Sequence, residues 1–436
     1  MNPCETHTYD LVIIGGGASG MVAALSAKKA RPDLSVALLE RQARVGRKLL
    51  ATGNGRCNLT NRAAGDLRHY HGSAYLARTA LTRFDPDAVR AFFAQIGLET
   101  IPDEAGRYYP LSDQAASVVD VLRLSLDEMG VALWTGFEVK RLDANRADFV
   151  EKVGATSVAA KAGAGFIAHA ADGRQVRARR VILCCGGPAG EKLGGSSAGH
   201  KLLEALGHPV TPCLAALAQL KTPPDLVRAL KGIKLRGTLA LLEDGRQVKA
   251  ECGEVLFADY GLTGIAAMAL ARRAGEGLQK GRAMSVRMTL LEMSAQSLLL
   301  RRDQLPARLL DDFLTGLLPK RLAQTALKLA GIFPLTRAAG TLTPAEAASL
   351  SRVLNGWTLP ITGTQGFDSA QVTAGGAAGQ YFDVDTLEST LVPGLYCAGE
   401  VLDVDGDCGG FNLQWAWASG LLAGACAAQT MKEENL

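Results

Sequence analysis

Long apolar runs are missing from this sequence: no stretch reaches eighteen uninterrupted apolar residues, about the length a membrane-spanning helix needs. Charge of one sign is also scarce. The 436 residues carry a net charge of only +4, and lysine and arginine form no long block. The electrostatic footprint of a nucleic-acid binder is therefore absent, and neither nucleic acid nor a membrane is an expected partner. The nine cysteines are scattered and odd in number, unlike a secreted disulfide scaffold. They form no CxxC pair and give no metal-ligand spacing, so no metal is expected. The first ten residues lack a basic region followed by an apolar one, so no secretory leader is expected and a cytoplasmic location follows.

What is present is an ordinary globular composition, 48% hydrophobic and 21% charged, in a chain long enough for two or three domains. Tyr9 to Ile14 reads as a buried parallel strand, followed at once by Gly15-Gly16-Gly17-Ala18-Ser19-Gly20, a helix, and a second strand from Ser35 to Leu39 that ends in Glu40. This is the context a dinucleotide fingerprint requires. Gly15 serves the tight turn, Gly17 the approach of pyrophosphate and Gly20 the packing of helix on sheet. The helix N-terminus, with Ala18 and Ser19, offers free N–H groups to pyrophosphate. Glu40 stands where a carboxylate binds the adenosine ribose and repels a 2′-phosphate. The fingerprint alone does not separate FAD from NAD.

The next segment, Arg41 to Asn61, sets Arg41, Arg44, Arg47, Lys48 and Arg56 among glycines and asparagines, including Asn54 and Asn58. It reads as a functional loop facing pyrophosphate or an acidic substrate, or else as a solvated basic loop. Cys57 reads as a buried thiol or, less favoured, a redox group. Downstream, helices are predicted over 84–97, with Asp85 as cap, and near 115–128; Tyr108 or Tyr109 is placed in a substrate channel or a packed turn. Residues 131–183 read as short strands ending in the buried run Arg180–Cys184, after which Gly186 and Gly187 stand at a strand end able to meet the dinucleotide. His200 and His208 read as structural or interfacial, His200 being also a weak catalytic candidate.

From about residue 208 the pattern changes. Segments 213–220, 235–243 and 284–290 read as antiparallel strands, 295–332 as helical, and Thr343-Pro344-Ala345-Glu346 as a capping box for a helix ending near Gly356. Nucleotide-fold chemistry returns in the strand-like runs at 371–379 and 394–398. An acidic turn follows, containing Gly399, Glu400, Asp403, Gly406, Gly409 and Gly410, and then a helix from Phe411 to Gly420. Glu400 or Asp403 is placed on a ribityl hydroxyl, and the N–H groups of Gly410, Phe411 and Asn412 on the flavin pyrimidine. The DVDGD run lacks the terminal glutamate of a calcium loop.

These residues together resemble the bacterial BaiN/YhiN-type family of FAD-dependent flavoproteins, also labelled aminoacetone-oxidase-like. The resemblance spans nearly the whole chain and is strongest at Gly15–Gly20, Gly46–Asn61, Gln371–Gly376 and Gly394–Gly420. Gly46–Asn61 matches a GRK…GxGRCNxTN passage, with Thr52 where serine is usual. The family pattern changes after Gly187, to PAGEKLGGSSAGH, and LFADYGLTGIA lacks the usual histidine and proline. The resemblance implies an α/β chain with a split Rossmann-like FAD-binding domain, 1–199 and 356–436, and an insert over 200–355 with a β-barrel-like and a helical part. It implies FAD as cofactor, with Lys48, Asn54, Arg56, Cys57 and Asn58 near the flavin and the Gly399–Asn412 residues as its distal contacts.

The expected chemistry is hydride transfer between flavin N5 and an unidentified small molecule, with NAD(P)H as a transient electron partner at most, since no second fingerprint is present. Cys57, His200 and Tyr260 are the weak candidates for proton chemistry. An NAD-dependent dehydrogenase and a non-enzymatic flavin- or RNA-binding protein are the rival classes.

Overall fold

The computed structural model describes residues 7–144 and 165–433. Residues 1–6 of the segment read for a leader, and 145–164 of the expected strand-like stretch, lie outside the described residues. The chain divides into two compact units, Met1–Cys213 with Val372–Leu436, and Leu214–Gln371. The sequence reading placed these joins at 199/200 and 355/356. Helix Ala198–Ala205 stays with the first unit because Leu202 and Leu203 enter that unit's core. Strand Trp357–Pro360 stays with the second because it pairs with Met284–Met288.

The first unit is built on a seven-stranded sheet. Strands Ala132–Thr135, Val36–Glu40, His7–Ile14, Gln175–Leu183 and Leu395–Cys397 lie side by side and run parallel. Phe166–Ala170 and Val139–Ala144 extend the sheet antiparallel. Leu11, Val12 and Ile13 are fully buried, which is why the first strand reads as an unbroken apolar run and not an alternating one. Helix Ala18–Ala30 follows the glycine turn and is buried from Ser19 to Ala27. Its cover is the final helix, Phe411–Glu433. The sequence reading ended that helix at Gly420. It continues because Gly420 and Gly424 are contact points: a Cβ on either would lie 2.3 Å from Ser19 O or 2.2 Å from Ala23 O. Ser26 Oγ adds a hydrogen bond to Leu421 O at 2.7 Å. The two glycine contacts follow one another in the same direction along both helices, which therefore run parallel.

The Leu214–Gln371 unit contains a second seven-stranded sheet, antiparallel throughout, where the sequence reading expected a β-barrel-like part. Its longest hairpin joins Lys234–Glu243 to Arg246–Ala258 through Asp244 and Gly245, at φ 49° and 80°, the pair of left-handed residues such a two-residue turn demands. Helix Ile265–Gln279 packs on this sheet, and helices Ala295–Gln304, Lys320–Leu329 and Pro344–Gly356 form the helical part. The Thr343 capping box is formed as expected. The continuous strand expected over 213–220 is instead Val210–Ala216 and Leu220–Lys221, because Leu217 turns the backbone at φ 46°. No helix among the described residues is long and apolar enough to cross a membrane.

Gly420→Ala and Gly424→Ala each place a methyl against backbone that cannot rotate away, so each is expected to destabilise the protein by about 2–4 kcal/mol. Gly275→Ala, in helix Ile265–Gln279, meets only Leu214 Cδ2 at 3.5 Å and is expected to be neutral or stabilising by up to about 1 kcal/mol. Denaturant midpoints of the three variants check the contrast; equal shifts would remove the close-contact argument.

Candidate functional site

The glycine turn combines tight packing with open space. A Cβ on Gly15 (φ 111°) would sit 2.4 Å from Cys184 O, and one on Gly20 only 1.9 Å from Gly15 O. A Cβ on Gly17 would meet nothing within 4 Å, which leaves room beside the start of the first helix, whose first N–H groups have no intrahelical acceptor. Ala18 opens that helix, while the Ser19 hydroxyl turns away to donate to Ala398 O at 3.3 Å. Glu40, at the end of its strand, accepts from Gly16 N and Gln42 N, each at 2.7 Å. Arg41 donates to Gly194 O and Gly195 O at 2.7 and 3.1 Å, which holds the glycine-rich loop after Gly190 in place.

The basic segment is a kinked 3₁₀ turn over Leu49–Gly55, broken where Gly53 and Asn54 take left-handed φ. Asn54 and Arg56 are exposed. The Arg56 guanidinium lies 4.1 Å above the Tyr109 ring and pairs with Asp113 at 2.5 Å. Cys57 is fully buried, and burial pushes its thiol up to about 12. Asn58 is different. Its Oδ1 is buried with no hydrogen-bond partner among the described residues, 2.9 Å from the Cβ position of Gly410, just before the final helix. A buried amide oxygen without a donor is able to accept a hydrogen bond from a bound ligand.

Glu400 is a junction. Its carboxylate accepts from Thr373 N at 2.5 Å, Lys48 Nζ at 2.9 Å and Gly187 N at 3.4 Å. It therefore ties together the basic segment, the Gly186-Gly187 strand end and strand Val372–Ala377. Asp403 receives the Ser73 backbone N–H at its own carbonyl, 2.6 Å away. Gly399 (φ 77°) faces Ser19 Oγ, and its N–H donates to Ser419 Oγ at 2.9 Å. The Asn412 side chain closes the turn, its Oδ1 accepting from Gly406 N and its Nδ2 donating to Gly406 O, both at 2.8 Å. A Cβ on Gly410 (φ 104°) would lie 2.7 Å from the Thr60 carbonyl carbon, whereas one on Gly409 (φ 121°) would make only ordinary contacts with the Phe411 ring and Asn61.

Of the three proton-chemistry candidates, Cys57 is sealed and uncharged. His200 is buried, its pKa lowered by burial, with Nδ1 3.8 Å from the Cys213 thiol. Tyr260, its phenol raised by burial, belongs to the Leu214–Gln371 unit. Sequence reasoning missed His69, His71 and Asp407. His69 Nδ1 and His71 Nε2 face the two oxygens of Asp407 at 3.0 and 3.1 Å, and the His69 ring lies 4.4 Å from Phe411. The signal was available in His69-Tyr70-His71, whose alternation puts both imidazoles on one side of an extended segment. It missed as well the buried pair Thr60 Oγ1–Gln414 Oε1 at 2.7 Å and the Trp417 Nε1 bond to Leu59 O at 2.9 Å, which lock the asparagine segment to the final helix.

The donor set fits a flavin dinucleotide: open N–H groups at two helix starts, a carboxylate at the end of the second strand, and an amide oxygen awaiting a donor. Gly17→Val tests the first of these. The backbone there (φ −84°) tolerates a side chain, and nothing in the protein opposes it. Stability is expected to change by less than about 0.5 kcal/mol while retained flavin falls at least tenfold. Thiol labelling at pH 8 checks the other end of the site. With a pKa about 12, Cys57 carries thiolate at about one part in 10⁴. Among the described cysteines, only exposed Cys252 should label quickly in the native protein, and fast labelling of Cys57 would contradict its burial.

Comparison with known proteins places this architecture. Residues 9–426 match the family model described as the HI0933-like protein Rossmann domain. The 3-dehydro-bile acid Δ(4,6)-reductase of Clostridium scindens is 41% identical over 96% of this chain and 98% of its own length. The ribosomal RNA dihydrouridine synthases of Escherichia coli and Haemophilus influenzae are 29% and 27% identical over 96% and 97% of this chain, and 97% and 98% of their own. Among solved structures, a mutant E. coli quinol fumarate reductase FrdA shares the fold at a TM-score of 0.50 and 14% identity, covering 98% of this chain and 70% of that one. The chain belongs to the HI0933-like Rossmann family and is an FAD-dependent oxidoreductase.

Proposed function

We propose that this enzyme moves hydride between flavin N5 and a carbon–carbon double bond conjugated to a carbonyl in a small apolar molecule, a 3-dehydro-bile acid being the first to test. The observation that carries the flavin placement is the stagger of the two parallel helices. Gly420 sits beside Ser19, so the final helix begins eight residues before the level of Ala18, about 12 Å further along. One helix start serves the pyrophosphate and the other the flavin ring. The substrate class is supported by the 41% identity with the bile acid reductase.

In this reading Gly15, Gly17, Ala18, Ser19 and Gly20 present backbone to the pyrophosphate, and Glu40 accepts from the adenosine ribose. Arg41 and Gly186-Gly187 border that path. Lys48, held by Glu400, places positive charge beside the ribityl chain, with Gly399 and Asp403 next to it. Asn58 accepts from the flavin ring edge, while Asn54 and Arg56 line the exposed side. The N–H groups at Gly409, Gly410, Phe411 and Asn412 stabilise negative charge on the pyrimidine carbonyl. Bound FAD supplies two-electron transfer through N5. The protein supplies position, charge and exclusion of water from Cys57 and its neighbours. NAD(P)H is the proposed electron donor, visiting without a dinucleotide fold of its own.

A second reading is favoured by charge distribution. The Leu214–Gln371 unit holds 20 lysines and arginines against 13 acids, although the whole chain carries only +4. Such asymmetry suits a polyanion, and two relatives act on ribosomal RNA. A uracil ring also offers a double bond conjugated to a carbonyl.

Purified protein is expected to show flavin absorption and to release FAD on denaturation. Under anaerobic conditions its reduced flavin should be reoxidised by a conjugated 3-keto steroid at least tenfold faster than by its saturated analogue. Reoxidation by RNA uridines and not by the steroid would replace the first reading with the second; protein holding only NAD would remove both.

A further inference from the structure

The flavin reading leaves unassigned where the proton of a hydride reaction is held. Two of the three sequence candidates are poorly suited, since Cys57 and His200 are buried. The His69–Asp407–His71 group is suited by geometry. Strand Tyr70–Gly72 pairs antiparallel with Val404–Gly406, so His69 and His71 flank the residue beside Gly406, and Asp407 N–H donates to His69 O at 2.9 Å. Asp407 O in turn accepts from Asn412 Nδ2 at 3.2 Å, and the His69 ring packs on Phe411. The group is thereby fixed to the first turn of the final helix. All three side chains are about one-third exposed, with solvent at hand for proton exchange.

A carboxylate only accepts, so the two ring nitrogens facing Asp407 both carry protons, and each ring keeps its other nitrogen for exchange. The arrangement is not that of a metal site: the nitrogens point at separate oxygens, and no set of three such side chains among the described residues could hold a metal ion. One carboxylate faces both rings, so it offers a single counter-charge for one added proton. The other charged or titratable groups about it are Asp66 and Arg68 on the preceding turn, Asp405 on the paired strand with Asp403 just before it, and Cys408. Arg68 is bound to Asp66 and is largely exposed.

Resting on the flavin placement proposed above, we infer that His69, His71 and Asp407 form the proton-holding group of this oxidoreductase, taking up one solvent proton when the flavin is reduced. Reduction by a hydride donor brings two electrons and one proton to the ring and adds negative charge beyond the helix start. That charge makes the histidine pair bind its extra proton. On reoxidation the hydride leaves to one carbon of the substrate double bond. The held proton then leaves to the other carbon, directly or through water, so that C=C becomes CH–CH with electrons and protons balanced. By reciprocity, protonation of the pair favours the reduced flavin.

The test is the midpoint potential of the flavin-loaded enzyme as a function of pH. Wild type is expected to show, over a window between pH 5 and 8, a slope steeper by one proton per two electrons than on either side. His69→Gln/His71→Gln should lose the excess while keeping its flavin content and melting transition. Asp407→Asn should move the window to lower pH, because the added proton then lacks its counter-charge. Turnover of the double variant should fall about a hundredfold, in kcat more than in KM. A wild-type slope without excess between pH 5 and 8, or an excess retained in the double variant, overturns the inference. If the double variant fails to hold flavin, the wild-type slope and the Asp407→Asn shift decide. Protein that releases no FAD would refute the flavin placement itself, an outcome read before any potential is measured.

Discussion

The first and final helices touch backbone to backbone, and the remainder of the nucleotide unit is arranged by that contact. Gly420 and Gly424 admit the carbonyls of Ser19 and Ala23 to distances that no side chain allows. The contact sets the level at which the final helix starts, and with it the positions of Gly410, Phe411 and Asn412. Smaller bonds copy its register: Ser19 Oγ to Ala398 O, Gly399 N to Ser419 Oγ, and Trp415 Nε1 to Gly399 O at 3.2 Å. Without the close approach, the turn at Gly15–Gly20 and the turn at Gly406–Gly410 would belong to separate surfaces.

A second constraint follows from how many polar side chains the fold uses internally. Glu400 binds two backbone N–H groups and Lys48, Asn412 closes its own turn, and Ser19 holds Ala398. These were natural candidates for direct ligand contact. Their bonds instead hold the backbone of four segments in place, and the free donors face outward from that backbone. Recognition through main-chain N–H groups suits a cofactor whose charge lies on pyrophosphate and on a carbonyl that gains electrons. Asn58 differs from them, its buried side-chain oxygen finding no donor among the described residues.

The thiols show the same separation of structure from chemistry. Cys57, Cys184 and Cys397 are buried, and burial raises the pKa of each. They fill space between strand ends and the loops above them. The groups able to exchange protons with solvent, His69 and His71, stand at the edge of the same site on a short strand ladder. The proton-exchanging edge and the dry core are thus different layers of one unit.

How much was legible depended on the range over which each feature is decided. The βαβ turn, the Asp85 cap, the helix over Ala115–Glu128 and the Thr343 capping box are local: φ requirements, hydrogen-bond caps and periodicity act within a few residues, so their residue types mark them. FAD and the family followed from several such local passages read together. The extent of the final helix was not legible, because Gly420 and Gly424 look like helix stops until the partner helix is present. The partners of Glu400, His69 and His71 were not legible for the same reason: they are brought in from 352, 338 and 336 residues away. The sequence by itself determined that a dinucleotide turn, an asparagine-rich loop and an acidic glycine turn exist. Only the tertiary structure decided which of their atoms remain free for a ligand, since a polar group is free only when the whole fold has left it without a partner.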